Sequence, residues 1–207
     1  MSLQEDIKIY LPKYLSAESQ RELFNALRDF PNNLDERFYT EFLKEERVIF
    51  QGDGIKDLIA VDLPNTEIKK IEGIILSNTC DTDPSNKRNF NSQIIYAPII
   101  TLKKYETALS EQSKKTSLEI NDHIRDIKRQ FITQILYLPQ FISVIEESIV
   151  FLDRIYNIRN DYIPRNNLKA LRLFSLSDYG NYLFLLKLSI HFSRIQDKVE
   201  RKSIQKT

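Results

Sequence analysis

The chain has 207 residues, 42% of them apolar, with 30 Lys and Arg against 29 Asp and Glu, a net charge of +1. That composition argues against intrinsic disorder and suits one generous globular domain. With no apolar run of the roughly 18 residues a membrane helix needs, an acidic N-terminus (Glu5, Asp6) and a single cysteine, a disulfide framework and a multi-cysteine metal site are excluded and a cytoplasmic protein is expected.

Charge is uneven along the chain: residues 1–46 carry six basic and ten acidic side chains, residues 140–207 eleven and seven. The first 46 residues read as a helical, acidic arm. Ser16 caps a helix with Leu23, Leu27 and Phe30 on one face, Pro31-Asn32-Asn33 ends it, and a second short helix over Asp35 to Lys44 places Phe38 and Phe42 one turn apart. The arm either packs on its own domain or docks on a protein partner. From Arg47 the pattern changes to short strands. RVIF and DLIAVDL flank Gln51-Gly52-Asp53-Gly54, whose glycines suit a hairpin turn but not a phosphate loop, for want of a following Lys and Ser or Thr.

Residues 71–103 hold two apolar runs, GIIL and QIIYAPII, around a polar segment, the pattern of a buried hairpin with a long loop. Most of the distinctive chemistry lies there. Ser77, Asn78, Thr79, Cys80 and Asp81 follow the first run at the rim of the core, where loops carry function. Asp81, or Cys80 as thiolate, is a candidate proton acceptor; Lys69, Lys70, Lys87 and Arg88 are candidate phosphate ligands; Phe90 and Tyr96 are candidate base-stacking rings. The structural alternative makes Thr79 and Asp81 loop caps, buries Cys80 as a small apolar side chain and leaves Asn86 to Asn89 as an ordinary loop tip.

Residues 103–132 interrupt the strands with an inserted amphipathic helix whose face is Ile120, Ile124, Ile127 and Phe131, with His123 beside it. Cys80, Asp81, Asp83 and His123 have no metal-site spacing, so no metal and no cofactor is expected. Strands resume at QILYLP (134–139), ESIVFLDRI (147–155) and LKALRLF (168–174). Ser177 then caps a final helix with Tyr179, Leu183, Leu186 and Ile190 on one face, continuing past Arg194 into a fraying basic tail with Lys198, Arg201, Lys202 and Lys206.

The order GIILSN, IIYAPIIT, ESIVFLDRIYNI and LKALRLFSLSDYGNYLFLLKL resembles the MazF/PemK-type toxins, over about residues 47–101 and 134–192. The resemblance implies an α+β fold: a small half-open antiparallel β-barrel spanning residues 47–207, carrying the arm, the insertion and the C-terminal helix. It also implies a homodimer that cleaves single-stranded RNA without metal, in a toxin- or defence-associated role. The family's Arg aligns at Ile71 or Glu72, making Lys69 and Lys70 the nearest cations, and its Thr aligns on Ile100, one place before Thr101. The expected catalytic set is therefore Asp81, Cys80, Lys70 and Thr101. Ser77, Asn78, Thr79, Lys69, Lys87, Arg88 and Phe90 form the expected nucleic-acid surface. The competing expectation is a barrel without the chemistry, binding protein or nucleic acid through its arm, insertion and tail.

Overall fold

A computed structural model describes residues 16–193; the basic tail expected beyond Arg194 lies outside them. In chain order it has α1 (Ala17–Asp29), a 3₁₀ turn (Glu36–Phe38), β1 (Tyr39–Thr40), β2 (Gly54–Val61), β3 (Ile68–Ile75), the one-turn α2 (Thr79–Thr82) and β4 (Gln93–Thr101). There follow α3 (Leu102–Gln112), α4 (Ser117–Lys128), β5 (Ile135–Leu138), β6 (Ser148–Phe151), β7 (Tyr156–Arg159), two 3₁₀ turns (Asn160–Tyr162, Arg165–Asn167), α5 (Leu168–Leu171), β8 (Arg172–Leu176) and α6 (Asp178–Ser193). The protein is thus mixed α+β. Its eight described strands make one open antiparallel sheet in the order β1-β8-β2-β3-β4-β6-β5, with β7 on the first half of β4.

Strand β4 is the branch point. Gln93 to Tyr96 pair with β7, Tyr96 to Pro98 with β3, and Ile99 to Thr101 with β6. Pro98, which has no N–H to give a ladder, lies where the edge partner changes from β7 to β6.

The apolar runs are continuous because both faces of the sheet are covered. Ile74, Ala97, Leu136 and Val150 face a core completed by Leu23, Phe38, Tyr39, Tyr179 and Phe184. Their neighbours split between two smaller clusters. Ile75, Ile94 and Tyr96 meet Ile49, Ile163 and Leu168, whereas Ile135, Tyr137 and Ile149 meet Leu102 and Ile127 from the insertion. The described part of the arm therefore shares a core with the sheet, and β1 pairs with β8.

Several expected elements differ. RVIF forms no strand, although Ile49 is fully buried. Its backbone groups are taken by other partners: the Val48 carbonyl accepts from Arg172, the Ile49 carbonyl from Thr82 Oγ1 (2.6 Å), and the Phe50 N–H donates to the Asp53 carboxylate (2.9 Å). The short helix expected from Asp35 is a 3₁₀ turn running into β1, so Phe38 is fully buried while Phe42 is 95% exposed. LKALRLF divides into α5 and β8, and β7 was not expected at all. The insertion is two helices, the second opened by a Thr116–Glu119 capping box; it ends at Lys128, which leaves Phe131 off the apolar face.

Candidate functional site

The corner after β3 is assembled by its own polar side chains. Ser77 Oγ accepts from the Ile95 N–H (2.7 Å), tying the corner to β4. Asn78 caps α2 by accepting from the Cys80 N–H (2.9 Å), Thr79 Oγ1 accepts from the Gln51 N–H (3.1 Å), and Thr82 donates to the Ile49 carbonyl (2.6 Å). Ser77, Asn78 and Thr79 thus build the corner, and Cys80 and Asp81 are what it presents. Cys80 is exposed rather than tucked into the core, with its carbonyl held by Asn86 (2.8 Å). Asp81 is half-exposed and accepts from Arg88.

A hollow of about 420 Å³ opens on one side of the corner, between the loop 83–92 and the segment 160–165. Lys87, Arg88 and Phe90, expected from sequence, come together there with Ser92, Asn160 and Arg165 and with the carboxylates Asp83 and Asp161. Phe90 is 86% exposed. Asn160 donates to the Thr82 carbonyl (3.0 Å) and to Ser92 (2.7 Å); Arg165 donates to the Thr82 carbonyl (3.0 Å) and the Ile163 carbonyl (2.6 Å) and reaches Asn160. Burial lowers the pKa of Arg165, and its Nε is buried without a hydrogen-bond partner. Asn160 and Arg165 carry no local signal of this role, because they meet Thr82 across a separation of about 80 residues. Asp83 is held below the usual carboxylate range, chiefly by the Ser85 backbone N–H.

The remaining expected site residues lie elsewhere. Lys69 and Lys70 occupy the exposed start of β3, against Glu67 (3.9 Å) and Asp57 (3.3 Å). Five strand steps, about 17 Å at 3.3–3.4 Å each, separate Lys70 from the end of β3. Thr101 ends β4 and caps α3, accepting from the Lys104 N–H (3.4 Å). Lys70 and Thr101 are therefore not brought to Cys80 and Asp81. Tyr96 cannot stack on a base, since it is fully buried and donates to the Ile59 carbonyl. His123 meets Tyr105 Oη at 3.0 Å, and burial lowers its pKa. Among the described residues no group of three His, Cys, Asp or Glu side chains could hold a metal ion, and no helix is long and apolar enough to cross a membrane.

Fold and site together define a mixed α+β protein with an open antiparallel sheet and a polar corner at the end of its central hairpin. No protein-family model matches the chain, and no curated protein matches it significantly.

Proposed function

We propose that the chain is a MazF/PemK-like protein acting on single-stranded RNA, with its sheet curled into a half-open barrel. The observation that carries this reading is the hollow beside the corner, where Lys87 and Arg88 lie with the exposed Phe90 ring and amide side chains. Cations for phosphate and a ring for a base are what single-stranded nucleic acid requires. The curl is supported by Tyr96, which reaches Ile59, and Tyr156, which reaches Asp62, both linking the far side of β4 back to β2.

In cleavage, the ribose 2'-oxygen attacks the adjacent phosphorus, the 5'-oxygen departs with a proton taken from water, and a 2',3'-cyclic phosphate remains. Asp81 takes the 2'-hydroxyl proton, and Arg88 moves from Asp81 onto the phosphoryl oxygens, where aimed charge has most effect. A second reading, RNA binding without cleavage, is favoured by the distance of Lys70 and Thr101 from Cys80 and Asp81. A homodimer, as the family resemblance implies, would extend the RNA path across two copies.

The test is incubation of mixed-sequence RNA with the protein in EDTA, comparing wild type with Asp81→Ala, Arg88→Ala and Phe90→Ala. Discrete fragments with cyclic-phosphate ends, lost in Asp81→Ala, support the enzyme. Intact RNA retained at low salt, with retention weakened by Arg88→Ala and Phe90→Ala, supports the binder. RNA neither cut nor retained overturns both.

A further inference from the structure

On the other side of the corner the surface carries more carboxylates than cations. Two hollows, of about 680 and 660 Å³, share Leu43, Leu176, Ser177 and Asp178 and so form one trough running from α1 past the start of α6 to Cys80. Its apolar wall includes Leu43, and Phe42 stands beside it 95% exposed. Glu22, Asp29 and Asp178 supply negative charge. The cation there, Arg37, is already engaged by Asp35 through hydrogen bonds of 2.7–3.0 Å.

We infer that this trough is a docking site for a basic, amphipathic segment of a partner protein, with Phe42 as the anchor. An exposed aromatic at the edge of an apolar groove supplies a side chain that a partner can bury as an anchor. The Arg172 contacts to Leu43 and Glu46 fix the loop that carries Phe42, so the ring is presented on a rigid support and little ordering is needed on binding. Charge selects the occupant, because an acidic rim repels phosphate and attracts lysine and arginine. The inference is independent of whether the opposite hollow takes RNA. A partner seated here would meet the exposed Cys80 at the far end of the trough.

The experiment uses the full chain and two synthetic helical peptides, each with Leu and Phe on one face, the other face carrying Lys in one and Glu in the other. The Lys peptide is expected to bind at least about tenfold tighter than the Glu peptide by fluorescence anisotropy, and more weakly as salt rises. Phe42→Ala should weaken it about tenfold, and Glu22→Lys with Asp29→Lys should abolish the preference. All three positions are exposed, so the variants should keep the wild-type melting temperature. Equal affinity for the two peptides, or indifference to these substitutions, overturns the proposal. Self-association abolished by Phe42→Ala would overturn it in favour of a second copy of the chain, and RNA retention abolished by it would overturn it in favour of nucleic acid.

Discussion

The Asp53 carboxylate shows how one side chain organises its surroundings. It is fully buried and accepts from Arg172 Nε (3.0 Å), from Ser175 Oγ and from the Phe50 N–H (2.9 Å). Burial pushes its pKa up, while Arg172 opposes the shift. Arg172→Met leaves that carboxylate unpaired and frees the loop carbonyls, so a loss of about 3–5 kcal/mol in urea denaturation is expected. Lys187 is a second buried charge, donating to the Gln130 carbonyl (2.7 Å), with its pKa lowered by burial to about 8. Between that value and the ordinary 10.5 the unfolded chain holds more protons than the folded one, so this lysine's contribution to stability rises with pH across the window. Wild type should gain stability relative to Lys187→Met between pH 8 and about 10 in paired denaturation curves, and no relative gain would place the ammonium in water. Neither side chain was legible from sequence, since a lysine in an apolar helix and an arginine opening a strand carry no local mark of burial.

Helix α6 approaches the backbone of the 3₁₀ turn at Gly180. A Cβ on Gly180 would lie 2.1 Å from the Phe38 carbonyl oxygen, and backbone cannot rotate away as a side chain can. Gly180→Ala should therefore lower stability by about 2–3 kcal/mol, an overpacking cost visible as a fall in melting temperature. The N-terminus of this helix was readable: Ser177 Oγ accepts from the Gly180 N–H (3.1 Å), as an N-cap should, and also donates to the Arg37 carbonyl (2.6 Å). Its apolar face was not. Tyr179 and Leu183 are buried, but so are Tyr182 and Phe184, while Leu186 and Ile190 are partly exposed. A helix apolar on every side gives periodicity nothing to work with. The two hairpin strands were legible because β3 and β4 combine β-branched runs with a polar loop. RVIF has the same composition and failed, because side chains of Arg172, Thr82 and Asp53 take the backbone groups of Val48, Ile49 and Phe50 that strand pairing would need.

Over the whole molecule the two sides of the corner differ in charge, which a net value of +1 conceals. If Lys87 and Arg88 each neutralise one phosphate, log K for single-stranded RNA should fall against log salt with a slope of roughly −1.4, and Lys87→Ala should flatten it by about 0.7. A slope near zero would remove phosphate contact from the account. The candidate site was half legible: the loop residues Lys87, Arg88 and Phe90 announce themselves by type, whereas Asn160 and Arg165 reach the hollow only through the pairing of β7 with β4.

That interleaving has a further consequence. Strand β8 lies between β1 and β2, and β6 and β7 complete β4, so segments from beyond the insertion are threaded among those before it. A single cut in the exposed link between α3 and α4, at residues 113–116, would yield two pieces, each with missing neighbours in its sheet. Neither should hold its shape alone, yet mixed together they should reassemble, making this link a natural place to split the protein into a complementing pair of reporters.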